Sequence, residues 1–337
     1  MLQPPDIALA DLAALLGAAY GVIVDDIVFL PVGADPEAVA WRVSVAGGPP
    51  LFLKTKLSPF DPAVLAVPRF LRDAGIVEVI APLPARDGML GVSAGGMTLI
   101  LYPLVDGRNG FEVALTPTGW TALGAAMRRV HDMALPAALA GHLGTEQFWP
   151  RWRDSVSRFA DDLSNLGGDD IAAELADLLG SKRDDITVIV RRAAELADAL
   201  LEKPGNFVLC HTDIHAGNVL VAQDGGVHIV DWDSPRRAPK ERDLMFIGGG
   251  VGGVWNQPDE AALFYEGYGV TEIDMPALAY YRYERIIEDI SATCEHVGSG
   301  EGENRAESLA QLVAQWRPRD VVAIAHATYA EFQRSRV

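Results

Sequence analysis

Only two cysteines occur in the 337 residues, Cys210 and Cys294. Neither has a metal-type partner at close spacing, so reduced thiols are the simple reading rather than a disulfide scaffold. No run of eighteen apolar residues occurs, so no membrane span is expected. Met1-Leu2-Gln3-Pro4-Pro5-Asp6 lacks a basic segment followed by an apolar one, so no signal peptide is expected and the cytoplasm is the expected location. Positive charge is scarce: 28 Lys and Arg stand against 46 Asp and Glu, a formal net charge of -18. Such a chain repels nucleic acid and anionic membranes. It attracts cations, although acidic surfaces also serve solubility alone. No internal repeat and no low-complexity tract is visible.

Hydrophobic residues make up 49% of the chain, which excludes a disordered protein, and the length allows two lobes with a substantial core. An amphipathic helix capped by Asp6 is expected to end near 17–21. Short strands follow at 27–32, 40–45, 51–56, 88–92 and 97–102, separated by Gly- and Pro-rich turns. A helix at 62–73 interrupts them, and Pro68 should bend it. After Asp106-Gly107 the pattern turns helical. Thr116 caps a helix with Pro117 in its first turn. Further helices are expected at 146–165, 169–179, 184–201, 259–268, 274–296 and from 306 onward. Residues 299–303 read as a loop.

The most informative stretch is Cys210-His211-Thr212-Asp213-Ile214-His215-Ala216-Gly217-Asn218-Val219-Leu220. An apolar run leads into a polar loop, His211 to Asn218. A second apolar run, a turn at Asp224-Gly225-Gly226 and a third strand-like piece bring the chain to Asp231-Trp232-Asp233. Asp213, Asn218 and Asp231 thus fall on two adjacent loops. Phosphoryl transfer needs that set: a carboxylate beside the attacking hydroxyl, with an amide oxygen and a second carboxylate for Mg²⁺. The bland alternative is a polar hairpin loop whose Asp and Asn cap turns.

The order H-x-D-x-H-x-x-N followed by D-x-D resembles the aminoglycoside phosphotransferase family of small-molecule kinases. Leu101-Tyr102-Pro103 and 280–289, Tyr-Tyr-Arg-Tyr-Glu-Arg-Ile-Ile-Glu-Asp, are similar to its spectinomycin phosphotransferase branch. The resemblance runs from about Val28 onward and is specific between Phe207 and Leu244. It implies an α+β, bilobal protein-kinase-like fold. Residues 1–102 would form a strand-rich nucleotide-binding N-lobe, and 103–337 a helical C-lobe with the catalytic loop and acceptor site. It implies ATP and Mg²⁺ as cofactors. The implied reaction moves the γ-phosphate to a hydroxyl of a small cationic aminocyclitol or aminoglycoside; choline, homoserine and sugars are alternatives, because fold members share the loop and differ in the pocket.

By that resemblance Asp213 accepts the hydroxyl proton and Asn218 and Asp231 hold Mg²⁺. His211, His215, Asp233 and Asp243 support the loop. Lys54, with Lys56 as the alternative on the same strand face, meets the phosphates. The Tyr102 carbonyl and Leu104 N–H fit the adenine spacing. Glu284, Glu288 and Asp289 are candidates for an acceptor's ammonium groups; the bland reading is a solvated helix with internal Arg–Glu pairs. Trp255, Tyr265, Tyr268 and Tyr281 could pack on a sugar-like ring or belong to the core. Two features depart from better-known kinases. Pro31-Val32-Gly33-Ala34-Asp35 stands where a G-x-G-x-x-G loop would be, and the 62–73 helix has no glutamate for Lys54, leaving Asp73 and Glu78 as candidates. Two other functions use the same letters: a zinc hydrolase built on His211, Asp213 and His215, and a nucleotide-binding regulator that phosphorylates nothing.

Overall fold

The computed structural model describes residues 8–33, 38–57, 62–149, 151–161, 168–203, 205–300, 302 and 304–335. Its elements run α1 (Leu9–Tyr20), β1 (Val24–Leu30), β2 (Ala38–Val45), β3 (Leu51–Lys56), α2 (Pro62–Asp73), β4 (Val92–Ala94), β5 (Met97–Pro103) and β6 (Gly107–Asn109). Next come α3 (Pro117–His131), α4 (Ala137–Ala140), α5 (Arg151–Asp161), α6 (Asp170–Glu202), β7 (Phe207–Cys210), β8 (Val219–Ala222) and β9 (Val227–Ile229). The chain ends with β10 (Arg236–Pro239), α7 (Glu241–Leu244), α8 (Pro258–Tyr268), α9 (Met275–Gly298), α10 (Arg305–Ala314) and α11 (Val321–Ser335).

Two compact units divide this chain. The first comprises Met1–Gly119, Ala134–Leu143 and Gly217–Pro235; the second comprises Trp120–Met133, Gly144–Ala216 and Arg236–Val337. The division is not the single cut after residue 102 that the sequence suggests. β6 pairs with β8, and Ile229 of β9 exchanges backbone hydrogen bonds with Glu78 and Ile80 at 2.7 and 3.0 Å, so the hairpin before Asp231 is built into the first unit.

In the first unit an antiparallel sheet has the order β1-β2-β3-β5-β4. Alternation puts Leu51 and Leu53 of β3 on one face, where they bury with Trp41, Val43, Leu99 and Leu101 against Leu12 and Leu16 of α1. Phe52 and Lys54 therefore project from the opposite face. Gly21 ends α1 at φ 75, its N–H returning to the Gly17 carbonyl. The expected cap Asp6 lies outside the described residues, as do Ala34 and Asp35 of the loop standing in for the glycine-rich one. The expected strand at 88–92 is a turn instead: Gly88 has φ 84 and the Met89 N–H bonds the Asp87 carboxylate at 3.0 Å. Pairing begins only at Val92.

The second unit is organised on α9, which packs against α5, α6, α7, α10 and α11. Asp274 caps α9 by accepting from the Ala277 N–H at 3.3 Å. The two helices expected between 169 and 201 are one helix of 33 residues. Gly180 costs about 1 kcal/mol there, but the buried stripe Leu175, Leu179, Ile186, Ile189 and Ala193 runs through it and holds the helix together. The expected C-terminal helix is two, because Pro318 cannot continue α10 and Arg319 adopts φ 65. The helix expected from 146 starts at Arg151; Phe148 has φ 53, and the Glu146 carboxylate takes the N–H groups of Gln147 and Phe148. β7 pairs with β10, and β8 with β9 and β6, so the loop after β7 is a crossing between two small sheets. Thr116 does cap α3, accepting the Gly119 N–H at 3.0 Å.

Candidate active site

The nucleotide candidates lie in the first unit. Lys54 on β3 points its Nζ to Asp233 Oδ2 at 2.6 Å and to Asp231 Oδ1 at 3.5 Å. Burial alone would lower the Lys54 pKa; the charges of Asp231 and Asp233 outweigh it and raise the value. These two carboxylates are the partners that the α2 helix does not supply, and Asp73 is instead paired with Arg69 four residues before it. Asp231 is a non-glycine residue at φ 63, a conformation held by its surroundings. The Val230 N–H donates to the Asn218 carbonyl at 3.0 Å, which brings the backbones beside Asp231 and Asn218 together. Asn218 ends a single 3-10 turn, Ala216–Asn218, and is buried. An amide oxygen and a half-exposed carboxylate on adjoining strand ends are hard oxygen donors, the set that fits Mg²⁺.

At the hinge the ladder pairs Phe52 with Tyr102 and Leu51 with Pro103. The Leu104 N–H, an adenine candidate in the sequence, donates to the Pro50 carbonyl at 3.4 Å. Backbone groups alternate sides along an antiparallel pair, so Pro103 and Val105 turn away from β3. A cavity of about 510 Å³ behind this segment is lined by Arg69, Arg72, Val79, Pro103, Val105 and His228 among others, and neither Lys54 nor Asp231 reaches it.

The catalytic-loop candidates lie in the second unit, where Asp243 holds the backbone. Its carboxylate accepts from the N–H groups of His211 at 2.9 Å and Thr212 at 2.6 Å. Thr212 sits at φ 79, an outlier for a β-branched residue. The buried His131 ring is hydrogen-bonded to Asp243 through Nε2 at 3.0 Å and to the Tyr268 hydroxyl through Nδ1 at 2.7 Å. His211 is fully buried, and its Nδ1 accepts the Asp213 N–H at 3.3 Å.

Asp213 has a basic side chain beside each oxygen. Arg285 Nη1 donates to Oδ1 at 3.0 Å, and His215 Nε2 lies 3.4 Å from Oδ2. Burial would raise the Asp213 pKa, but the hydrogen bond and charge of His215 and the charge of Arg285 outweigh it. They hold this carboxyl well below the usual range. Nothing in the sequence pointed to Arg285 or His131 as partners of the loop, and Tyr268 stood only as an aromatic for a sugar-like ring or the core. Only the four-residue spacing of Arg285 and Asp289 hinted at one of their contacts.

The three acceptor candidates on α9 separate. Glu284 is buried and pairs with Arg153 at 3.3 Å, so its carboxylate is spent inside the unit and not on an acceptor. Asp289 pairs with Arg285 at 3.0 Å and accepts from Gln315 at 2.7 Å. Glu288 is half-buried and has no hydrogen bond or ion pair among the described residues. Trp255, Tyr268 and Tyr281 are core residues. The zinc reading loses His211, which is enclosed and already bonded. Among the described residues, the three-member group that could ligate a metal is His131, Cys210 and Asp243, and His131 and Asp243 are committed to one another and to the loop. No described helix is long and apolar enough to cross a membrane.

A strand lysine beside hairpin carboxylates in the first unit, and a clamped loop in the second, are the parts of a kinase-like fold. The model of the phosphotransferase enzyme family matches residues 28–281. The chain belongs to that family and is a phosphotransferase acting on the hydroxyl groups of small molecules. A solved spectinomycin phosphotransferase, APH(9)-Ia in complex with ADP and spectinomycin, is 36% identical, with a TM-score of 0.89 over 96% of this chain and 99% of that one. Protein StrN of Streptomyces griseus is 26% identical over 250 residues, 71% of this chain and 74% of that protein. Amicoumacin kinase, solved with AMP-PNP, shares the fold at 17% identity and a TM-score of 0.63, over 91% of each chain.

Proposed function

We propose that the protein transfers the γ-phosphoryl group of ATP, in the cytoplasm, to a hydroxyl of a small cationic aminocyclitol of the spectinomycin kind. The observation that carries the reaction is Lys54 reaching Asp231 and Asp233 from the strand position expected of a phosphate-binding lysine. The acceptor class rests on likeness to the spectinomycin phosphotransferase.

Lys54 meets the α- and β-phosphates. Asn218 and Asp231 would hold Mg²⁺, which offsets charge on the phosphates when bound. For adenine we place the hinge contacts at the Pro103 carbonyl and Val105 N–H, one residue along from Tyr102 and Leu104, since the Leu104 N–H is engaged by Pro50. The acceptor hydroxyl donates to Asp213. Its oxygen bonds the γ-phosphorus, the bond to the bridging oxygen breaks, and the electron pair leaves with ADP. The hydroxyl proton passes late to Asp213 and then to solvent.

The test is ADP release and phosphorus NMR with Mg·ATP against spectinomycin, other aminocyclitols, aminoglycosides, choline and sugars. Turnover concentrated on spectinomycin-like acceptors supports the proposal. Turnover with choline or a sugar alone makes it a metabolite kinase. If Mg·ATP neither binds nor stabilises the fold, the kinase reading is wrong.

A further inference from the structure

Asp243 clamps the loop backbone at His211 and Thr212, and its hold stops there. The Asp213 side chain itself meets His215, whose Nε2 lies 3.4 Å from Oδ2, and Arg285. Arg285, near the middle of α9, donates from Nη1 to Asp213 Oδ1 at 3.0 Å. Its Nε lies 3.0 Å from Asp289 Oδ1, although that N–H is not aimed at the oxygen, so the contact is an ion pair rather than a hydrogen bond. Asp289 is fixed in turn by Gln315, whose amide donates to Oδ2 at 2.7 Å. The guanidinium lies 5.9 Å from the Phe246 ring centre, and the His215 ring meets the same phenyl edge-on at 6.2 Å.

We propose that Arg285 is a positioning residue for phosphoryl transfer, fixing the direction of the Asp213 carboxylate, with Asp289 and Gln315 as its backing. The proposal rests on the phosphotransfer reading above. A guanidinium is planar, permanently charged and a directional donor. One nitrogen on Asp213 and another beside Asp289 therefore fix two carboxylates relative to one helix, which a lysine ammonium cannot do. The Arg285 side chain is 21% exposed and that of Asp213 43%, so solvent screens the pair in part and the contact acts through its direction rather than its charge alone. Fixing Asp213 matters because displacement of a reacting group by about 1 Å can cost about 100-fold in rate. The same contacts move Asp289 out of the acceptor set: it steadies Arg285 instead of meeting an acceptor's ammonium.

The test compares wild type, Arg285→Ala, Arg285→Lys, Asp289→Asn and Asp213→Asn with the acceptor that wild type turns over. Arg285→Ala should lower kcat about 100-fold with the KM of ATP within about threefold, and Arg285→Lys should fall between. Free guanidinium at millimolar concentration should restore about tenfold or more to Arg285→Ala and nothing to Asp213→Asn. Asp289→Asn should lower kcat and leave the acceptor KM in place. Unchanged kcat in Arg285→Ala overturns the proposal. So does a loss that guanidinium cannot rescue, or one expressed as a raised KM for ATP or acceptor, which would make Arg285 a structural or ligand-binding residue. Thermal unfolding of Arg285→Ala, Asp213→Asn and their double variant reads the contact without turnover. The double variant should lose less than the two single losses together, and strict additivity refutes the clamp. Failure of wild type to transfer phosphate would refute the proposed function and leave this cycle standing.

Discussion

Replacing Glu284 by Gln should change how stability depends on pH and leave acceptor binding alone. Glu284 is 5% exposed, with Arg153 Nη1 at 3.3 Å from Oε2. Burial pushes its carboxyl up from 4.5 to about 7, against the pull of Arg153 and Arg242 and with a further push from Glu288 and Glu146. Between these values the folded protein keeps a proton that the unfolded chain has released. Stability from this group is therefore complete below about pH 4.5 and falls as pH rises to about 7. At about 1.4 kcal/mol per pH unit, the fall amounts to about 3 kcal/mol. The glutamine keeps the shape and an oxygen for Arg153 but cannot titrate. Urea unfolding of both proteins across this range isolates the effect, because other titrating groups cancel in the difference. Wild type should lose about 3 kcal/mol relative to the variant over that window. A difference that stays constant with pH refutes the argument, and a tenfold rise in the variant's acceptor KM would return Glu284 to the acceptor site.

Asp213→Asn should reduce turnover at least about 100-fold while ATP affinity measured by calorimetry is kept; turnover within a few-fold of wild type would remove the carboxylate from the reaction. Glu288→Gln should raise the acceptor KM about tenfold, the worth of one hydrogen bond to a charged group, with the KM of ATP unchanged. Gly124→Ala or Gly267→Ala should destabilise the second unit by about 1–3 kcal/mol. A Cβ at Gly124 would fall on the Phe264 carbonyl and one at Gly267 on the Thr121 carbonyl, so α3 and α8 would have to part. A melting temperature equal to wild type would show that the crossing can relax.

Local periodicity made most elements readable. β3 and α2 begin and end where the alternation and the Pro62 start place them, because each has one apolar face and a clear boundary. The errors came where distant contacts overrule local signals. The separate helices expected at 169–179 and 184–201 leave a gap, yet the apolar stripe on α6 continues through it into the packing with α9. The hinge at Leu104 depended on ladder register, which the letters Tyr-Pro-Leu do not encode. The carboxylates beside Lys54 do not come from the helix that follows β3; Asp231 and Asp233 reach it from 177 and 179 residues away. In the loop after β7, spacing singled out Asp213 and Asn218 as candidates. It could not show what orients them, since His131 lies 112 residues from Asp243, and Arg285 72 from Asp213.

The net charge of -18 and the choice of a cationic acceptor are separate matters. A surplus of carboxylates draws cations from a distance, within the Debye length of about 8 Å at physiological salt. Selection needs a carboxylate with nothing else to bind. On α9, Glu284 is committed to Arg153 and Asp289 to Arg285 and Gln315. Glu288 makes no hydrogen bond or ion pair among the described residues, although its charge is felt by the neighbouring Arg242 and Arg285. If an ammonium group is read by this helix, Glu288 is where it is read. Salt should then slow acceptor capture whether or not Glu288 is present, while Glu288→Gln should raise KM at every salt concentration. An effect of Glu288→Gln that vanishes at high salt would mean the helix supplies only a diffuse field, and the acceptor need carry no cation at that point.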